Sequence, residues 1–504
     1  MNWNVDPYIL IILTGFPLIA AAVIAFLPSR RSVMTGAMIA AFAMEFVMSL
    51  HLPVRYAASA GMQYAFSVDW IPLFGIRFAL CADGISIVLI LLTTITFLLG
   101  AIAAKIPDTQ RKAYAIAILI IESAVIGVFS AADMFLFYIF WEAMLIPAAI
   151  LIAVFGSGAR VAAAFKFFLF TFAGSIFMLI AMIVIASLSQ QNTGVLSFSL
   201  TDAVQAMNTL RANAGGKLLT LEILLFLGFF IAFAVKTALF PLHIWAPDTY
   251  ASSPVFVTVI LSAVLLKMGG YGLWRFVLPL FPGAVSFFQP YIIALGIAGI
   301  LYAALIALVQ KDIKRLLAYS SVSHIGFAVV GIFSLSVIGA AGGILQLFNH
   351  GISIAMLFIL AGILTERSGS SDIDGHGGLA KPMPLFAVLL TIAALASIAL
   401  PATGAFVSEI LSLAGLFSYS MWATIAAIPA VILGAVYMLT LVRKTIYGPL
   451  PDTRTAMKDL TLREAAPLIV LAAIVFFIGI YPSPLMKLIE PNVKTMLAIY
   501  PSAK

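Results

Sequence analysis

The chain has 504 residues, 63% of them hydrophobic and 9% charged, with a formal net charge of +7 and one cysteine. Its mean hydropathy is +1.16. Soluble domains carry about 25% charged and about 45–50% apolar residues, so a soluble, disordered or fibrous protein is excluded and a polytopic membrane protein is indicated. A lone cysteine excludes a disulfide framework, a thiolate zinc site and an iron–sulfur cluster. The basic balance needs only Lys- and Arg-rich cytoplasmic loops and gives no reason to invoke nucleic acid.

About 20 apolar residues cross the hydrocarbon core as a helix. Fourteen such runs are predicted, at 8–27, 31–50, 84–104, 112–130, 133–155, 161–187, 218–246, 254–276, 290–309, 313–334, 338–364, 384–418, 424–446 and 464–481. The first has only Asp6 ahead of it and no cation, so it reads as a retained span and not a cleaved signal. Between the second and third spans, 51–83 holds short β-branched and aromatic stretches broken by Pro and Gly, which predicts a hairpin on the membrane surface. The 188–216 loop is Ser/Thr/Asn/Gly-rich, with a short helical pattern at 201–211. No soluble segment is large enough for a nucleotide domain, and neither G-x-G-x-x-G nor a P-loop is present.

Odd-numbered loops carry 17 Lys and Arg residues and even-numbered loops carry 5, namely Arg55, Arg77, Arg211, Lys217 and Arg275. That bias places odd loops in the cytoplasm and both termini outside, as an even number of spans requires. Lys311, Lys314 and Arg315 read as topology anchors, and His51 and His376 as solvated loop residues.

Ionisable groups inside spans are expensive, at about 2.5–3.5 kcal/mol each on an insertion scale, and are functional candidates by default. They are Glu122, Glu142, Lys236, Lys267, His324, His350 and Glu409. Tyr138 lies one turn from Glu142; Ser320, Ser323 and His324 share a stripe, as do Gln346, Asn349 and His350. Such stripes suit a hydrated track between helices. Taken singly, any of these residues could be half of a structural pair, Glu122 most readily. Lys166 lies close enough to its span's start to snorkel to the surface, and His243, near a helix end, suits a hydrogen-bonded structural role. Seven together argue against a purely structural explanation.

Two spans are also interrupted. The seventh has Pro241 five residues after Lys236, and the twelfth has Pro401 and Gly404 ahead of Glu409. Breaks at membrane depth are tolerated where they line a cavity, and paired breaks mark ion sites in transporters. The pattern predicts two inverted five-helix repeats, helices 4–8 (111–276) and helices 9–13 (290–446). They follow three N-terminal helices with the outer-face hairpin (1–110) and precede helix 14 with a tail (447–504). The fold class is thus an all-α polytopic membrane protein of about fourteen helices, with helices 7 and 12 broken. A Glu and a Lys about 6 Å apart at an effective dielectric of about 20 attract by roughly 2.8 kcal/mol, so moving one changes whether the other holds its proton. A series from Glu142 through Lys236, Lys267 and the two histidines to Glu409 is able to pass a charge or a proton along the midplane. The chain offers no redox or nucleotide site to drive this, so the drive must come from a partner or a counter-ion.

The runs AVKTALFPLHIWAPDTYASSPV, LLKMGGYGLWRF, DMFLFYIFWEAMLIP, KDIKRLLAYSSVSHIGF, QLFNHGISIAMLFILAGIL and GIYPSPL together resemble the antiporter-like subunits of proton-pumping NADH:quinone oxidoreductase, respiratory complex I. Within that family the chain is similar to the M-type branch, chain 4 in mitochondria. Glu409 stands where the L-type and N-type branches usually carry Lys, and the sequence ends about 23 residues after Tyr481, without a long lateral helix. The resemblance implies that Glu142 and Lys236 form the charge pair of one half-channel. It also implies that Lys267 connects the halves, His324 and His350 continue the axis, and Glu409 terminates it. The family also carries a Lys at the position of Lys166; Glu122 and His243 match no firm family role. The resemblance further implies no cofactor or metal in this chain, with FMN, iron–sulfur clusters and quinone in other subunits. It implies L-type and N-type neighbours in the membrane arm, and a bacterial plasma membrane, with the mitochondrial inner membrane as the alternative location. The competing reading is a D-type subunit of a multi-subunit sodium/proton antiporter, which shares the Glu142, Lys236 and Lys267 motifs. Less favoured is a membrane subunit of an energy-converting hydrogenase.

Overall fold

The computed structural model describes residues 5–57, 61–215, 218 and 220–500; the loop cations Lys217 and Lys504 lie outside them. Among the described residues, twelve helices are long and apolar enough to cross a membrane, from Asp6–Phe26 to Leu462–Ile480. The two runs absent from that set are the two expected to be broken. The seventh is Thr220–Lys236 followed by Ala246–Ser252, and the twelfth is Pro384–Ser397 followed by Gly404–Tyr419.

Both breaks share a local device. The seventh span stops at Lys236, well before Pro241, because Ala238 adopts φ +55°, and the twelfth has Ala399 at φ +55° and Ala402 at φ +75° around Pro401. An alanine in the left-handed region is strained and ends a helix outright. The freed carbonyls find internal donors, as they must without water. Trp245 Nε1 donates to Val235 O at 2.9 Å at the first break, and at the second Leu400 N donates to Leu395 O at 3.1 Å.

Other spans depart from expectation in ways the sequence explains afterwards. The fifth is divided into Met134–Ala143 and Leu145–Phe155, with Pro147 in the first turn of the second piece. The sixth extends through Arg160–Thr193, beyond its predicted end at 187. The ninth begins at Pro282 and not 290, with Pro290 inside it. The eighth, Val255–Leu280, contains two wide π-helical turns at Leu261–Leu265 and Leu273–Val277. Arg275 therefore lies inside a helix, buried, and not in the outer loop to which the charge count assigned it.

The expected hairpin is present: Gln63–Ile71 pairs antiparallel with Ile76–Ala82, and Gly75 at φ +63° makes the turn. The short helix predicted at 201–211 is Leu200–Asn213. A helix at Ser483–Leu497 was not anticipated, because its stripe of Leu488, Ile489, Val493 and Leu497 is narrow and contains Pro491. It packs on Gly84–Ala103 and Val337–Ser368.

The helices sort by depth. Val337–Ser368, Ile313–Phe333 and Val255–Leu280 are almost wholly enclosed, whereas the first, second, sixth and thirteenth spans show large apolar side chains such as Val47, Phe165, Phe177 and Ile432 to the exterior. Hydrocarbon supplies little hydrophobic drive between helices, so close packing of small residues does that work. At Gly415 an added Cβ would stand 2.2 Å from Gly339 Cα. Gly415→Ala is therefore expected to force apart the Val337–Ser368 and Gly404–Tyr419 helices, at a penalty of about 1–3 kcal/mol. A melting temperature unchanged from wild type, measured in detergent, would contradict that packing argument.

Candidate functional site

The enclosed helices carry the polar residues, which line up as two hydrogen-bonded pairs with their imidazole rings side by side. Lys267 is completely buried, and its Nζ donates to Ser262 O, 2.5 Å away in the first π-helical turn. The same Nζ lies 2.7 Å from His350 Nδ1. One proton serves that contact: either an ammonium donates to a neutral imidazole, or an imidazole N–H donates to a neutral amine. His350 Nε2 has no partner, and its ring centre is 5.8 Å from that of His324. His324 Nδ1 then meets Glu409 Oε1 at 2.8 Å.

Around Glu409 the network branches. Gln346 Nε2 donates to Glu409 Oε1 at 3.0 Å, and Ser408 Oγ donates to Gln346 Oε1 at 2.5 Å. On the other ring edge, Ser397 Oγ and Tyr437 OH each lie 3.4 Å from His324 Nε2, and Tyr437 OH donates to Ser320 Oγ at 3.1 Å. A fixed set of donors and acceptors at both ring nitrogens lets His324 exchange a proton on either side.

The first half of the predicted series is open. Glu142 is partly buried at the end of Met134–Ala143, its Oε1 has no partner, and the groups near enough to act on its charge are Ser175 and Lys236. Lys236 is buried, with Nζ 5.3 Å from the centre of the Trp141 ring and 5.5 Å from that of Phe167. Among the described residues no carboxylate lies within 4 Å of it, so the expected Glu142–Lys236 pair is not in direct contact here.

The secondary candidates fall elsewhere. Lys166 does not reach free to the surface: its Nζ donates to Asp248 Oδ2 at 2.7 Å, and Arg315 donates to Asp248 Oδ1 at 2.8 Å. Lys314, read as an anchor, is buried and donates to Ser253 O at 3.3 Å. Glu122 stands away from the axis beside Glu45, both fully buried and with all four carboxyl oxygens unpartnered. Glu45 sits within the second predicted span, and the same insertion penalty that flagged Glu122 flags it. His243 lies in the first break among Phe240, Tyr302 and Tyr319, and among the described residues its Nδ1 has no hydrogen-bond partner. Tyr437 and Ser397 were overlooked because single hydroxyls in apolar runs carry no pattern.

His51 and His376 are not freely solvated. His51 Nε2 is 2.7 Å from Asp6 Oδ1, and His376 is buried in its loop beside Arg454. Burial, reinforced by the Arg454 charge, pulls the His376 ring below its ordinary value of 6.5.

These features define a class: polytopic membrane proteins in which two helices broken at depth flank a buried line of lysine, histidine and glutamate. Residues 131–434 match the family described as NADH:quinone oxidoreductase/Mrp antiporter, TM. The chain is 38% identical over 501 residues to NADH-quinone oxidoreductase subunit M of Rhodobacter capsulatus, covering 98% of this chain and 97% of that one. It is 36% identical over 483 residues to NADH-ubiquinone oxidoreductase chain 4 of Chondrus crispus, covering 95% of each. Among solved structures, a chain of respiratory complex I from Thermus thermophilus with bound NADH superimposes with TM-score 0.88 at 30% identity, over 98% of this chain and 100% of that one. A chain of the Mrp complex from Dietzia sp. superimposes with TM-score 0.81 at 21% identity, covering 99% and 98%, and shows the shared fold. The chain belongs to the NADH:quinone oxidoreductase/Mrp antiporter transmembrane family.

Two expectations test the local geometry. Gln346→Leu removes a donor from the buried Glu409 carboxyl, a loss of about 1–3 kcal/mol that should appear as a lower melting temperature. His376 is held neutral in the folded loop, so folding there weakens as pH falls below the ordinary histidine value and strengthens above it. Hydrogen exchange of the 369–383 backbone, corrected for intrinsic rates, should be faster at about pH 5.5 than at about pH 7.5, and His376→Gln should erase that difference.

Proposed function

We propose that this chain is the M-type proton-translocating subunit of the membrane arm of an NADH:quinone oxidoreductase. The observation that carries the reading is the buried alignment of Lys267, His350, His324 and Glu409, in a chain whose relatives at 36–38% identity are named for that subunit. Lys267–His350 and His324–Glu409 are donor–acceptor contacts along which a proton moves by short transfers; the step between the two rings, with centres 5.8 Å apart, is made through a bridging water at His350 Nε2. Glu142 and Lys236 act by charge: when they approach, the lysine holds its proton, and when they part it is released toward Lys267. In this structure they are apart.

The drive comes from quinone reduction in other subunits, which hold the FMN and iron–sulfur clusters; this chain's part is to store and pass protons with its own side chains and no cofactor. Its neighbours are the other membrane-arm subunits, including the L-type and N-type antiporter-like chains. We place it in a bacterial plasma membrane with both termini outside, crossing fourteen times in two inverted units at 111–276 and 290–446. Both units begin a central helix with an aspartate N-cap, Asp133 and Asp312, and both contain a break with left-handed alanines. A D-type antiporter subunit is the weaker reading, since the Mrp likeness supports the fold alone.

Glu142→Ala and Lys236→Ala are expected to abolish most NADH-driven acidification of inverted vesicles at equal content of assembled complex, and to slow NADH:quinone turnover with it. Glu142→Asp should retain both, and Lys267→Ala should impair them partially. Normal pumping by an assembled Glu142→Ala complex would sink the charge-pair reading. Loss of sodium-driven proton exchange with intact NADH-driven pumping would move the chain to the antiporter class.

A further inference from the structure

Lys267, Tyr271 and Arg275 occur at four-residue intervals on one helix, and the second π-helical turn lies around Arg275. Residues four apart share a helical face. The three therefore step along one stripe from the midplane line toward the end of the helix nearest the hairpin loop and the C-terminal helix. Eight residues span about 12 Å of helix axis.

At that end stands a buried ion pair. Arg275 NH2 lies 2.7 Å from Asp83 Oδ2, with both side chains about 95% enclosed. Arg275 Nε donates to Tyr271 OH at 3.1 Å, and NH2 also reaches Ser86 Oγ at 3.3 Å. Tyr271 OH donates to Phe129 O at 3.1 Å and lies 3.2 Å from Ser86 Oγ. Asp83 is immobile, because its Oδ1 caps the Gly84–Ala103 helix by accepting from Ile85 N and Ser86 N. Arg275 is held through Nε and NH2 by Tyr271, Ser86 and Asp83, while among the described residues its NH1 meets Met62 Sδ at 3.8 Å, a weak acceptor. Beyond the pair is a cavity of about 350 Å³ lined by Asp83, Arg275, Met62, Asn208, Arg211 and Asn492.

We propose that Arg275 and Asp83, backed by Tyr271, form an outer gate between the Lys267 site and this cavity, and that the structure holds it closed. The proposal rests on the proton-translocating reading above and on its outward orientation. Closed, the guanidinium fills the way between Tyr271 and the cavity, and its positive charge repels a proton arriving from outside. Charge on Lys267 pushes on Arg275 along the same stripe. When Arg275 swings off the fixed Asp83, water enters from the cavity. Lys267 Nζ then gives one proton to that water and becomes a neutral amine, and the proton leaves through the cavity. A pair serving only to hold helices together would not need to border a cavity.

The test uses the whole complex reconstituted in liposomes. Asp83→Asn removes the charge but keeps the helix cap, since Asn caps as well as Asp. The expected result is a passive proton leak about tenfold above wild type, as for removal of one barrier of about 1.4 kcal/mol, with NADH:quinone turnover near wild type and fewer protons pumped per electron. Adding Lys267→Ala to Asp83→Asn should abolish the extra leak. If Asp83→Asn fails to assemble, Arg275→Lys, which keeps the charge but loses the fork, should leak to an intermediate degree. A wild-type leak in an assembled variant overturns the gate, and so does an extra leak that persists with Lys267→Ala. Failure of the gate with Glu142→Ala still inactive leaves the function standing. Normal pumping by Glu142→Ala would instead remove the function on which the gate rests.

Discussion

A helix broken inside hydrocarbon leaves carbonyl and amide groups that no water reaches, and most of this chain's interior is arranged to meet that demand at two places. At the first break, Trp245 reaches back to the carbonyl of Val235, the residue before Lys236. At the second, Asn349 reaches across from a neighbouring helix to Gly404, one turn before Glu409. Each of these donors anchors the backbone within one or two turns of a buried charge, Lys236 or Glu409. Asn349 also binds Ser408, which binds Gln346, which binds Glu409. At the second break, backbone anchoring and site geometry are thus one network.

That network differs between the halves in a way that matters for charge transfer. Between Lys267 and Glu409 two contacts, Lys267–His350 and His324–Glu409, each hold a proton between two bases, and the two rings lie side by side with centres 5.8 Å apart. From Glu142 to Lys236 they do not touch, and aromatic rings surround the lysine. In a medium of low dielectric an interaction between separated charges changes strongly with a small change in distance. The open half is thus sensitive to movement, while the closed half is suited to conduction.

The large-scale plan was legible in the sequence because the constraints behind it are strong. Long apolar runs located twelve spans, Pro and Gly located both breaks, and the expense of burying charge picked out Lys267, His324, His350 and Glu409. What escaped detection depended on tertiary context. Arg275 sits at the end of an apolar run, where a cation reads as a loop residue, and only the buried Asp83 on a distant helix shows otherwise. Glu45 carried the same signal as Glu122 and was missed beside a predicted span end. The break after Lys236 came earlier than Pro241 because an alanine took a left-handed conformation, which propensity does not foresee. His376 looked solvated because loops usually are, yet its loop folds against the body of the protein.

One helix ties these parts together. Ile313–Phe333 begins beside the first break, where Arg315 and Lys166 share the two oxygens of Asp248. Two turns further on, Ser320 receives Tyr437, and in the next turn His324 receives Glu409 from the second break. The helix is nearly wholly enclosed, so it has little room to bend independently at its two ends. An exposed ion pair alone contributes little to stability. Here Asp248 holds two cations from different helices, so its contribution is positional: it fixes the segment after Lys236 to the start of the helix that carries His324. The two breaks are 160 residues apart in sequence, as Pro241 and Pro401 mark. In the fold, a single helix joins the neighbourhood of one to the neighbourhood of the other.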